Sequence, residues 1–199
     1  MPTDEEEATS VCHPAWDVLI PAQTEYLSAI SPHYDEAFWD VAQRVERAGC
    51  LGKTDIAALV VWKRISAQTR WVTDLMSLPD SHVRAVTERA LTSVQDLNLS
   101  RGEAAQAGRG AIAELPGFVT GDALASAVLT AAAPKRMAVY DQRVQRALNL
   151  FGITLTKKSG RYGRYMDIIE TLLTQSGGRA DDWTARDVDT ALYWVGQKS

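Results

Sequence analysis

Apolar positions along this chain recur every three or four residues, and turn residues cut the pattern into helix-length pieces. Ser31-Pro32 reads as an N-cap followed by proline at the first helical position, opening a helix through Phe38, Val41 and Val45 that Gly49 ends. Thr54 is expected to cap the next helix, in which Ile56, Leu59, Val60 and Lys63 keep the helical period. The pattern continues over 68–76 and 79–94, the second stretch carrying Val83, Val86, Ala90, Leu91 and Val94. Ser100-Arg101-Gly102-Glu103 has the form of a capping box and starts a helix to about Glu114. Leu115-Pro116-Gly117-Phe118 then forces a tight turn, after which Thr120 is expected to cap an alanine-rich helix over 121–133. Proline makes 134–139 a short extended connection. Helices follow over 140–151 and 161–175, and Thr184-Ala185-Arg186-Asp187 starts a last one through Val188, Leu192 and Val195. No segment alternates with a period of two, and no repeat of 20–50 residues appears. The fold class is therefore all-α.

A length of 199 residues fits one globular unit or two small lobes. With 46% hydrophobic and 23% charged residues, the composition excludes a disordered chain. The longest apolar-leaning stretch, 123–134, is too short to span a bilayer, so no membrane partner is expected. The chain opens on Asp4, Glu5, Glu6 and Glu7 where a secretory signal would be basic, and the expected compartment is the cytoplasm. Cys12 and Cys50 lack metal-ligand spacing, and His13, His33 and His82 are scattered, so neither a metal nor another cofactor is expected. The net charge of -4 conceals a segregation. Over 134–165 there are eight basic residues and one acid, Asp141, a surplus of seven that leaves -11 on the remainder. That is the footprint of a polyanion-binding face on an acidic body; a solvated basic loop is the alternative reading of the same charges.

The most specific local signal is Leu115-Pro116-Gly117-Phe118-Val119-Thr120-Gly121 between two helices, followed by Val139-Tyr140-Asp141-Gln142-Arg143-Val144. This pairing resembles the helix-hairpin-helix DNA glycosylase superfamily, and within it compact bacterial proteins with an 8-oxoguanine DNA glycosylase-like fold. The resemblance is best over residues 55–152. It implies two helical lobes with a cleft between them: residues 53–151 carrying the hairpin, and residues 31–52 plus 152–199 forming the second lobe. Residues 1–30 are expected to be an acidic, partly irregular segment. It further implies a monomer that flips a modified base out of DNA and hydrolyses its N-glycosidic bond, in repair or in antiviral defence against phage DNA carrying modified bases. Asp141 is the implied catalytic carboxylate, and Leu115, Pro116, Gly117, Phe118, Val119 and Thr120 the DNA-binding hairpin.

Physical reasoning supports the same residues. A turn leading into a helix N-terminus presents unpaired N–H groups that bind phosphate without side-chain charge, and glycine permits the close approach. A carboxylate flanked by Arg136, Arg143 and Arg146 stays ionised and can stabilise an oxocarbenium-like sugar or orient water. An N-cap or ion-pair role is the alternative for Asp141. Lys135, Arg143, Lys157, Lys158, Arg161 and Arg164 are the expected DNA-contacting cations. Trp62, Lys63, Trp71, Tyr140 and Trp194 are the expected base pocket. Two departures from the family pattern matter. Val119 replaces the second hairpin glycine, and Gly121 stands where strand-cleaving members carry a Schiff-base lysine, which implies a monofunctional glycosylase. A non-catalytic helix-hairpin-helix DNA-binding module is the alternative, and a helical interaction protein is the reading without nucleic acid.

Overall fold

The computed structural model describes the backbone of residues 4–198 and the side chains of residues 15–198; Cys12 and His13 lie outside the described side chains. The regular elements are α1 (Asp4–Ala29), α2 (Glu36–Ala48), α3 (Lys53–Trp62), α4 (Arg70–Ser77), α5 (Asp80–Gln95), α6 (Arg101–Ile112), α7 (Ala123–Ala132), α8 (Gln142–Leu150), α9 (Arg161–Thr174) and α10 (Ala185–Lys198). No strand occurs among the described residues, in agreement with the all-α reading. None of the described helices is long and apolar enough to cross a membrane.

Several helix ends follow the local sequence. Ser100 Oγ accepts from the Glu103 N–H at 3.2 Å while Glu103 accepts from the Ser100 N–H at 2.9 Å, the reciprocal capping box expected there. Asp187 plays the glutamate's part at the start of α10, accepting from the Thr184 N–H at 2.7 Å. Other starts differ. Before α2, Ser31 Oγ accepts from the His33 N–H, and the Tyr34 N–H closes a turn on the Ser31 carbonyl, so the helix waits until Glu36. At α3, Asp55 accepts from the Gly52 N–H at 3.0 Å and makes Gly52 the cap in place of Thr54. The helix after residues 115–121 begins at Ala123; Asp122 stands at the capping position but its carboxylate bonds Arg109 and Arg161 instead, and Thr120 is left exposed in the loop. The stretch expected to be partly irregular enters α1 at Asp4.

Alanine and serine let α7 sit at the centre. Residues Leu124 to Ala132 are all buried, with α2, α3, α5 and α6 packed around them. A second set of neighbours forms around α10, which packs on α1, α8 and α9. The α8–α10 contact depends on Gly196, where a Cβ would stand 1.8 Å from the Arg143 carbonyl oxygen. All these helices share one connected core, with Trp16 fully buried and its indole N–H donating to the Leu172 carbonyl at 3.2 Å.

Candidate functional site

The site begins where α3 stops. The Ile65 N–H returns to the Val60 carbonyl and the Arg64 N–H to the Val61 carbonyl, the bond pair that closes a helix around a left-handed residue. That residue is Arg64, with φ of 55°, where glycine is the usual occupant and another side chain costs about 1–2 kcal/mol. The Arg64 guanidinium donates to the Tyr193 hydroxyl at 3.2 Å, across from α3 to α10. Lys63, the capping residue just before it, is directed inward, and only 15% of its side chain is exposed.

The partner of Lys63 comes from 78 residues further along the chain. Residues 137–140 have no regular structure, and two side chains hold their backbone: Asp189 accepts from the Val139 N–H at 2.8 Å, and Ser126 accepts from the Tyr140 N–H at 2.9 Å. Asp141 then caps α8, one oxygen accepting from the N–H groups of Arg143 at 2.8 Å and Val144 at 3.1 Å. Its other oxygen lies 2.9 Å from Lys63 Nζ. Burial alone would raise this carboxyl, yet the Lys63 ammonium and the two N–H groups hold it below the usual carboxylate range. Both alternatives raised for Asp141, cap and ion-pair partner, are thus realised in the same side chain.

The pair lies in a cavity of about 160 Å³. Tyr34 and Tyr193 line it, with Arg64 and Arg143 beside them, and the Arg143 guanidinium stands 5.1 Å over the Tyr193 ring. Trp62 forms part of the wall, as expected. The other aromatic residues expected here lie elsewhere. Trp71 backs the hairpin turn, its ring filling the space that a Gly117 side chain would take. Tyr140 is buried edge-on against Tyr165, with the Arg161 guanidinium 4.7 Å over its ring. Trp194 faces outward, donating to Glu25 at 2.8 Å under the Lys198 ammonium. Tyrosines, including Tyr26, supply the lining in their place. Tyr26 and Tyr34 fall outside any helical pattern tied to the motif, so periodicity gave no signal for them. Tyr193, the neighbour of Trp194 on α10, turns into the cavity where Trp194 turns away from it.

Residues 115–118, where a hairpin is expected, form a turn in which the Phe118 N–H donates to the Leu115 carbonyl at 3.1 Å, with proline second and Gly117 third at φ of 88°. Leu115 and Phe118 are wholly buried and anchor it; Pro116 and Gly117 are half-buried, while Val119, Thr120 and Gly121 face solvent. No side chain caps the first turn of α7. A groove of about 580 Å³ separates residues 119–122 from residues 157–161, and exposed Lys157 and Lys158 border it. Arg161 is engaged within the fold by Asp122 at 2.7 Å, and Arg109 holds the same carboxylate at 3.0 Å. The Arg164 guanidinium donates to the carbonyls of Thr156, Lys158 and Ser159, and so shapes the basic loop. Lys135 borders a separate groove beside Trp39 and Leu97. Ser126, on α7, joins this region to Asp141 through the Tyr140 backbone. Among the described residues, no group of three or more His, Cys, Asp or Glu side chains converges as metal ligands would. Comparison with known proteins found no family model, no curated protein and no solved structure that matches this chain.

Proposed function

We propose that the chain is a DNA glycosylase that excises a modified base by hydrolysing its N-glycosidic bond. The reading rests on one observation above the others: an ionised Asp141 lies beside Lys63 at a half-buried cavity walled by tyrosine, tryptophan and arginine. Such walls suit a flat base extruded from a duplex. As the base leaves with the bonding electrons, positive charge develops at the sugar C1′, and the carboxylate stabilises it while accepting a proton from the attacking water. Lys63 keeps the carboxylate charged and fixes its orientation. The hairpin amides and Lys157 and Lys158 supply phosphate contacts on the expected basic face. Excision from DNA carrying oxidised, alkylated, deaminated or phage-modified bases, scored as abasic sites, tests the reading. Asp141→Asn is expected to bind duplex yet release nothing. Release that survives the substitution would leave Asp141 a structural cap, and absence of duplex binding at low salt would leave only the interaction-protein reading.

The seat of Lys63 in the same cavity favours a second reading of the chemistry. Lys63 gives an ammonium proton to the departing base and attacks C1′ with the freed amine as the base leaves with the bonding electrons, and the sugar ring then opens to an imine. Gly121 offers no amine, so Lys63 alone would serve this route. Borohydride trapping separates the two: hydrolysis leaves an intact abasic site and no adduct, whereas an adduct lost in Lys63→Ala assigns the attack to Lys63.

A further inference from the structure

One guanidinium touches both halves of the site. Arg186 extends from α10, and its Nη1 donates to both oxygens of Asp189, at 2.8 and 3.0 Å. Its Nη2 donates to Asp35 at 3.2 Å. Each carboxylate passes the hold to one member of the Lys63–Asp141 pair. Asp35 accepts from the Trp62 indole N–H at 2.8 Å, one residue before Lys63. Asp189 accepts from the Val139 N–H at 2.8 Å, two residues before Asp141. The guanidinium also lies 5.3 Å from the Trp62 ring and 5.5 Å from that of Phe38, so its plane is held as well as its ends.

We propose that Arg186 is a positioning residue for the proposed base excision, setting the separation of Lys63 from Asp141 through Asp35–Trp62 on one side and Asp189–Val139 on the other.

Three features support this over a role in core stability alone. Arg186 is 8% exposed and its Nε–H is buried without an acceptor, a cost that a core chosen for stability would avoid. The fork geometry is used in full, since the two carboxylates are held from two different nitrogens of one rigid plane, Nη1 on Asp189 and Nη2 on Asp35, whereas an ammonium offers all its donors from a single freely turning nitrogen. Both arms end on α3 and on residues 137–140, segments that meet at the cavity. The inference rests on the glycosylase reading for its chemistry, but the geometry can be tested without substrate.

Asp141 is the reporter. The charged and titratable groups facing it are Tyr26 on α1, Tyr34 before α2, Lys63 and Arg64 at the end of α3, the neighbouring Tyr140, Arg143 on α8, Tyr165 on α9, and Arg186, Asp189 and Tyr193 on α10. In Arg186→Lys the Asp141 carboxyl, followed by NMR in the free full-length protein, is expected to titrate closer to the ordinary carboxylate range as Lys63 drifts from it. On whichever duplex the native protein acts, single-turnover release is expected to fall about 100-fold. Affinity for a duplex carrying a tetrahydrofuran abasic-site analogue should stay within about two-fold, because hairpin contacts are untouched. A structural role alone would lower the active fraction and leave the Asp141 titration of the folded molecules in place; that result overturns the proposal. If Arg186→Lys does not fold, Trp62→Phe cuts one arm and keeps the ring, and an unmoved Asp141 titration there is equally contrary. If the native protein releases no base from any duplex, the glycosylase reading fails, and the titration still decides the positioning role.

Discussion

Removing the Asp141 charge should cost stability in two separable parts. Asp141→Ala deletes the cap on two N–H groups of α8 and strands the Lys63 ammonium, which is 15% exposed. Loss of an N-cap is worth about 1 kcal/mol. Breaking a buried ion pair from one side costs about 3–5 kcal/mol, and residual exposure of both partners places this pair near about 2 kcal/mol. Alanine should therefore destabilise by about 3 kcal/mol, and asparagine, which still caps, by about 2 kcal/mol. For a chain of this size these values correspond to melting shifts of about 6–12 °C and 4–8 °C. The double variant Lys63→Met/Asp141→Asn removes both charges and should recover most of the loss, giving a coupling of about 1–2 kcal/mol in the double-mutant cycle. Urea denaturation of the native protein, Lys63→Met, Asp141→Asn and the double variant measures the coupling, and Asp141→Ala alongside them measures the cap. Equal losses for alanine and asparagine would refute the capping part. Additive losses in the cycle would refute the ion pair.

Other outcomes follow from the same geometry. Because the folded Asp141 carboxyl lies below its usual 3.8, its contribution to stability is complete above that value and is lost as pH falls through the lower folded value; Lys63→Met should flatten this acid limb in pH-dependent denaturation. Gly117→Ala places a side chain at positive φ and against Trp71, 2.3 Å from Cε3, and should cost about 2–4 kcal/mol in urea denaturation while weakening duplex binding. Lys157→Ala with Lys158→Ala should lower the salt slope of duplex binding by about 2, whereas Arg161→Ala, already engaged by Asp122, should lower stability and leave that slope near its native value.

What could be read along the chain was the part written in local chemistry. Ser100 with Glu103, Thr184 with Asp187, and the Leu115–Phe118 turn specify themselves within four residues, and each forms as expected. Helix starts departed from the expected ones where local bonds competed: Ser31 closes a turn on His33 and Tyr34 ahead of α2, and Asp55 caps Gly52 ahead of Thr54. The long-range uses of the same region, Asp55 for Arg44 and Asp35 for Trp62 and Arg186, leave no mark in the sequence around them. The Lys63–Asp141 contact spans 78 residues, and no periodicity reports it; its sign was a lysine on an otherwise apolar helix face. Arg186 and Asp189 left a comparable trace, an oppositely charged pair at helical spacing among the inward positions Val188 and Leu192. A tryptophan in the sequence does not say whether it serves core or pocket, because bulk suits both: Trp16 is fully buried, Trp62 reaches the cavity, and tyrosines supply the rest of its aromatic lining.

The most direct measurement is mass-spectrometric detection of free base after incubating native protein and Asp141→Asn with modified duplexes, alongside their duplex affinities. The account predicts stoichiometric or greater release by the native protein from at least one duplex, none by Asp141→Asn, and affinities for that duplex within about three-fold of each other. Tight duplex binding by both proteins with no base released by either would contradict it.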